Sequence, residues 1–198
     1  SVDDKVLEVS SLNNQSVIKI FHSIKAIDKR NQGLLKFIES YKAVTSIPLP
    51  NQTNMDVNLF FDSIASLMQD YLMEKRIHLE IRKADSNPVI GADEKQLTQV
   101  IINLIKNASE AIGERENGHI VLASHIDEGM VIISVSDNGS GIPEDISDKI
   151  FIPFFSTKTN GSGIGLSFSR QVLARHNATI NCHSDKDGYT IFTIRFSV

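Results

Sequence analysis

The chain has 198 residues, 41% of them apolar and 22% charged, which is the composition of an ordinary globular protein long enough to bury a real core. A formal net charge of −4 and a pI near 5.8 argue against general nucleic-acid binding, which leans on neutralising phosphates. No stretch approaches the roughly 18 apolar residues of a membrane helix, and the single cysteine, Cys182, excludes an internal disulfide and a cysteine-based zinc site.

The opening residues, SVDDKVLEVSS, lack the basic and apolar regions of a signal peptide. A first residue that is serine rather than methionine points to a fragment or a processed form. A cytoplasmic location is expected, with the membrane attachment of any longer parent protein left open. Cys182 is expected to be a small buried apolar side chain.

Two segments with different periods follow. Val17, Ile20, Ile24, Ile27, Leu34, Ile38 and Tyr41 are spaced alternately by three and four, with Asn31 filling the one gap. That is a heptad seam, and it predicts one long helix from Val17 to about Val44. Phe21, Leu35 and Phe37 widen the stripe toward a bundle. Gly33 inside it costs about 1 kcal/mol relative to alanine. Pro48 and Pro50 stop the helix near Ser46, and Pro48 to Asn54 reads as a linker. The expected division is therefore residues 1–50 and 51–198.

The second segment reads as one α+β domain. Asp56–Lys75 carries Val57, Phe60, Ile64, Leu67, Met68 and Tyr71 at helical spacing. Ile77–Arg82 alternates like a half-buried strand, and Val89–Ile90 is a short apolar run. Glu94–Ile112 is a strongly apolar helix closed by Gly113. Ile120–His125 and Met130–Ser136 form a hairpin around Asp127-Glu128-Gly129. Asn138–Pro143 is a turn-rich loop, and Gly163–His176 a helix. Thr179–His183 and Tyr189–Phe196 form a last hairpin around Asp187-Gly188.

Four short features in this segment carry chemistry. Asn103 and Asn107 lie four apart on one face of an otherwise apolar helix. They read either as an amide pair that packs helices or as carbonyl oxygens able to hold hydrated Mg²⁺. Asp137-Asn-Gly139-Ser-Gly141 follows a strand directly. It reads as a surface turn, or as a carboxylate for an amino group such as that of adenine, beside glycines that let a ligand approach the backbone. Ile150-Phe-Ile-Pro-Phe-Phe155-Ser-Thr-Lys158 is too apolar for a freely solvated loop. Its Lys158 is either solvated or able to swing onto a phosphate. Gly161-Ser-Gly163-Ile-Gly165-Leu-Ser opens a helix, where free N–H groups and the positive dipole end suit phosphate. No GxxxxGK[ST] loop is present, and the run is GxGxGL rather than the dinucleotide GxGxxG.

In order and spacing these features, from Asn103 to Leu166, resemble the N, G1, F and G2 boxes of the ATP-binding domain of sensor histidine kinases. Asp93-Glu-Lys-Gln-Leu-Thr-Gln-Val-Ile-Ile-Asn and Arg175-His176-Asn-Ala-Thr-Ile are similar to that family too. The resemblance covers about Asp56 to Val198. It implies a Bergerat-type fold, a two-layer arrangement of a mixed sheet with helices on one face, preceded here by a long bundle-type helix. It implies ATP and Mg²⁺ as cofactors, Asn107 as metal ligand with Asn103 beside it, and Asp137 for the adenine amino group. It implies Gly139 and Gly141 in the purine pocket, Thr190 near the nucleotide, and Lys158, the Gly161, Gly163 and Gly165 turn and Leu166 at the phosphates.

In gyrase, mismatch-repair and chaperone ATPases of the same fold, a glutamate four residues before the metal asparagine activates water. Here that position is Asn103, and an amide is no general base. The site therefore suits phosphoryl transfer to a protein side chain, by positioning and charge neutralisation. Residues 1–50 resemble the second helix of the family's dimerisation hairpin, which implies a homodimer. None of the six histidines has the context of an acceptor, so the acceptor helix is expected to precede this chain. A response-regulator receiver domain is the implied partner. The competing readings are an ATPase of the gyrase or chaperone type and a non-catalytic nucleotide-binding dimerisation module.

Overall fold

The computed structural model describes residues 18–28, 30–31, 38, 47–158, 161–184 and 189–197. The chain divides into two compact units, Ser1–Thr45 and Ser46–Val198.

In the first unit residues 18–28 form a helix, α1, and residues 30–31 and 38 are helical as well. Its apolar side chains Ile18, Ile20, Phe21, Ile24 and Ile27 are all exposed. The rest of the expected Val17–Val44 helix, Gly33 included, lies outside the described residues.

The second unit runs β1 (Thr53–Asp56), α2 (Val57–Glu74), β2 (Ile77–Arg82), β3 (Val89–Ala92), α3 (Glu94–Ile112), β4 (Gly118–Asp127), β5 (Met130–Asp137), α4 (Glu144–Ser147), α5 (Gly165–Arg175), β6 (Ala178–Ser184) and β7 (Thr190–Ser197). The main sheet has the order β2-β4-β5-β7-β6, with β2 and β4 parallel and the other pairs antiparallel. It is the expected mixed sheet.

Register explains why the helices lie on one face. Ile81, Leu122, Val135, Phe192 and Cys182 are aligned across the sheet, and successive side chains in a strand point to opposite faces. The four aliphatic and aromatic members of that row pack in or against the core, and α2, α3 and α5 all contact this sheet. The helices start where the sequence caps them. Asp56 accepts from the Leu59 N–H at α2 and Asp93 from the Gln96 N–H at α3, each filling one orphan donor. Gly113 ends α3 with φ +62°. Leu97, Ile101, Leu104 and Ile105 then form a fully buried stripe on α3.

Two elements were not foreseen. β1 takes up Thr53 and Asn54, which read as linker, by pairing antiparallel with β3, Thr53 against Ala92 and Met55 against Ile90. Four residues with one buried side chain carry too little alternation to be seen in the sequence. α4 is a single turn with no buried residue. The linker is also tighter than its prolines suggest. Ile47 is 5% exposed, the Gln96 side-chain amide donates to the Pro48 carbonyl, and the Asn51 N–H donates to Asp93. These residues belong to the second unit, whose start precedes the expected boundary at residue 50. The turn at 187–188 lies outside the described residues.

Candidate functional site

A second row on the core face is Leu79, Ile120, Asp137, Thr190 and Ser184, again in register. It begins apolar and turns polar over β5 and β7. Asp137 is 3% exposed and Thr190 2%. Burial strips the Asp137 carboxylate of water and pushes its pKa from 3.8 up to about 6; a hydrogen bond from the Gly139 N–H, at 2.9 Å, pulls the other way. Among the described residues the Thr190 hydroxyl has no hydrogen-bond partner. A buried hydroxyl left unpaired costs about 1–3 kcal/mol, so a ligand edge that completes it has a reason to bind there.

Both groups line a cleft of about 580 Å³. One wall is α3, through Asn103, Asn107 and Glu110. The opposite side is built from Ile142, Ile146, Ile150 and Phe155, and the far end is the run Gly161 to Leu166 where α5 begins. The floor is thus a polar pair beside one apolar wall, a pattern that suits a flat heteroaromatic base. The far end has different chemistry. α5 starts with no side-chain cap, so its first N–H groups and positive dipole end stay available for an anion.

Two glycines are required by close approach. A Cβ at Gly139 would stand 2.6 Å from Asp137 Oδ1 and 2.8 Å from Ala111, so the turn can lie against α3 only without a side chain. A Cβ at Gly165 would stand 2.2 Å from Asn103 Oδ1. Asn103 is held there, its amide donating to Ser169 Oγ at 3.0 Å. Its amide thus joins α3 to the first turns of α5. Asn107, one turn later, turns its oxygen to the cleft, 3.4 Å from Lys158 Nζ. Lys158 Nζ also contacts Glu110 Oε2. The phenylalanine loop is anchored, as its apolar content requires. Phe151 meets Phe192 edge-on at 6.4 Å and lies under the Arg170 guanidinium, and the Phe154 N–H donates to the Gly163 carbonyl.

The structure therefore brings Asn103, Asn107, Asp137, Gly141, Lys158, Gly161, Gly163, Gly165, Leu166 and Thr190 to one cleft. Gly139 is not in its lining; it supports Asp137 from behind. Sequence reasoning missed Glu110 and, in the apolar lining, Ile142, Ile146 and Phe192; Ile150 and Phe155 belong to the apolar loop it had singled out. Glu110, three residues past Asn107 on the same helix face, was detectable. Ile142 lies in irregular chain and Ile146 in the single turn of α4, too short for a periodicity to mark either.

No described histidine lines the cleft. His176 is structural: its ring bridges the Val172 carbonyl and the Asp93 N–H, tying the end of α5 to the start of α3. Cys182 packs partly buried on the core, and burial, with the Asp137 charge nearby, pushes its thiol up to about 12. Among the described residues no helix is long and apolar enough to cross a membrane, and no cluster of three metal-ligating His, Cys, Asp or Glu side chains occurs.

Residues 92–198, just over half of the chain, match the family described as histidine kinase-, DNA gyrase B-, and HSP90-like ATPase. The sensory histidine kinase/phosphatase NtrB of Rhizobium meliloti (strain 1021) is 37% identical over 56% of this chain and 32% of its own length. The chain thus spans about a third of the curated relatives it matches. Among solved structures, the catalytic domain of histidine kinase ThkA superposes with a TM-score of 0.66 at 31% identity, covering 74% of this chain and 95% of that one. ThkA in complex with the response regulator protein TrrA superposes with a TM-score of 0.69 at 26% identity, covering 86% and 48%. The chain belongs to the histidine kinase-, DNA gyrase B- and HSP90-like ATPase family, among the ATP-binding catalytic domains of sensor histidine kinases.

Proposed function

We propose that this chain is the Mg·ATP-binding catalytic region of a protein-histidine kinase. In this reading it passes the γ-phosphoryl to a histidine outside the chain, from which it reaches an aspartate of a response-regulator receiver domain. The observation that carries the reading is the buried pair of Asp137 and the unpartnered Thr190 hydroxyl, at the floor of a cleft whose far end is the uncapped start of α5. Asp137 accepts from the adenine amino group, and Thr190 completes its hydrogen bonding against the same base. Gly141 admits the purine, and Lys158 with the Gly161, Gly163, Gly165 and Leu166 turn receives the phosphates.

The donor set fits a magnesium ion. Asn107 offers one amide oxygen at the cleft, and the ion is usually held by one or two protein oxygens with phosphate and water completing its shell. Bound there, the ion would neutralise phosphate charge. This chain's residues position the nucleotide so that the incoming imidazole nitrogen is in line with the bond to the leaving ADP oxygen. Lys158 and the α5 N–H groups meet the charge that develops on that oxygen. Asn103 favours transfer to a side chain over hydrolysis. It stands where a water-activating glutamate would be needed, and its amide is engaged by Ser169.

Residues 1–50 are read as the second helix of the dimerisation hairpin, with homodimerisation through the exposed apolar seam of α1. The ThkA–TrrA complex supports a receiver domain as partner.

The test is incubation with γ-labelled ATP and Mg²⁺, alone and with a longer chain bearing an upstream histidine. Nucleotide binding without self-labelling is expected, with acid-labile label on the longer chain. Failure to bind Mg·ATP would sink the reading, and acid-labile label on a histidine of this chain would place the acceptor inside it.

A further inference from the structure

Lys158 is the lysine read above as a phosphate contact, yet its ammonium group has two protein partners. It touches Glu110 Oε2 and stands 3.4 Å from Asn107 Oδ1. Asn107 and Glu110 are three apart on α3 and project from one face. The three side chains form a chain across the cleft from α3 to the phenylalanine loop. Its lysine end is anchored through the backbone: the Lys158 N–H donates to Ser156 Oγ at 3.1 Å, and its carbonyl accepts from the Gly161 N–H at 3.2 Å. The side chain beyond Cα is what can move. Both partners of the pair are about half exposed, 45% for Lys158 and 53% for Glu110. Such a pair is weak and exchangeable. A lysine head is a compact point charge on a flexible stem, suited to changing partners. Among the described residues lining the cleft, Glu110 and Asp137 are the carboxylates, and Asp137 is committed to the floor.

We propose that Glu110 is a positioning residue for phosphate binding: it holds the Lys158 ammonium against α3 beside Asn107, and a nucleotide's phosphates must take that ammonium from Glu110 as they enter. The proposal rests on the reading of Asn107 and Lys158 as phosphate-end groups. It makes Glu110 a brake on affinity, specific for the phosphates and blind to the base. When the ammonium leaves, Asn107 Oδ1 is released at the same moment, so the amide oxygen becomes free for a cation as the phosphates arrive.

The experiment compares ATP, with and without Mg²⁺, and adenosine, titrated into wild type, Glu110→Gln, Lys158→Ala and the double variant. Glu110→Gln is expected to bind ATP more tightly, by up to about fivefold, the upper end for an exposed ion pair. Adenosine affinity should stay unchanged, and the gain should largely vanish when Lys158 is alanine. Glu110→Asp, which keeps the charge, should behave like wild type. Unchanged or weaker ATP binding by Glu110→Gln overturns the proposal, as does an equal gain without Lys158. A wild-type chain that binds neither ATP nor adenosine defeats the nucleotide-site reading instead, which separates the two failures.

Discussion

Asp137 is a buried carboxylate held at a cost to stability. Its carboxylate is buried on the core face of the sheet with one backbone donor, and burial raises its pKa from 3.8 to about 6. A carboxyl that holds its proton more tightly when folded stabilises the fold fully below its unfolded pKa. That contribution is lost as pH rises through about 6. At neutral pH the charged group is therefore a burden of up to about 3 kcal/mol on the unliganded protein. Asp137→Asn keeps the shape and an acceptor for the Gly139 N–H while removing the charge. It should raise the melting temperature at pH 7 by several degrees, and the gap to wild type should close as pH falls through 6 toward 4. The same change should weaken ATP binding by at least tenfold, because an amide that turns its NH₂ to adenine sets donor against donor. Wild-type ATP affinity should likewise fall below pH 6. Melting curves and nucleotide titrations across that range check both; an Asp137→Asn variant that is less stable at pH 7 and binds ATP normally would mean the carboxylate is structural.

At the scale of elements, α3 and α5 are locked by a contact that the sequence showed only in part. The sequence reads Gly165 as a phosphate-turn glycine; in the fold, the space of its missing Cβ is occupied by the Asn103 side chain. Gly165→Ala should push Asn103 off Ser169 and cost about 1 kcal/mol, the worth of one partly buried hydrogen bond. Asn103→Ala should cost a similar amount alone. The double variant should lose less than the sum, because one methyl fills the space the amide leaves. Chemical denaturation of the four proteins closes the cycle, and strict additivity would show that the two residues do not share the space.

These residues also show what was readable. Elements with long periodic stripes or capping residues, such as α3 with Asp93 before it and Gly113 after it, are written in local chemistry and were predicted to within a residue or so. β1 was missed because its stability comes from pairing with β3, a distant segment, rather than from its own four residues. The polar half of the cleft was legible because its amides, carboxylate and glycines are unusual residues in a recognisable order. Its apolar half was legible only at Ile150 and Phe155, because Ile142 and Ile146 stand in short stretches with no periodicity and join the wall only through the fold. Glu110 fell between the two: a glutamate on an exposed helix position is ordinary until Lys158 is brought to it from the far side of the cleft.

For the molecule as a whole, the division into two units sets the last prediction. The hydrophobic cluster that holds the second unit runs from Ile47 to Phe196, and its buried members all lie within that unit. Residues 46–198 should therefore fold alone, remain monomeric and bind ATP. The first unit is different. Ile20, Ile24 and Ile27 lie along one stripe of α1 with 58–59% of their surface exposed. At roughly 25 cal/mol per Å² of apolar area, covering such a stripe is worth several kcal/mol, and an isolated helix gains little stability without it. A second copy of the same seam supplies an identical apolar stripe, and Asn31 in the seam would meet its counterpart and help fix the register. Sedimentation of the full chain at micromolar concentrations should show a dimer that Ile24→Glu dissociates, while residues 46–198 sediment as a monomer. A monomeric full chain would refute the dimer seam, and a dimer that survives Ile24→Glu would move the contact elsewhere. ATP affinity should be the same in all three proteins, since every residue of the cleft lies beyond Thr45.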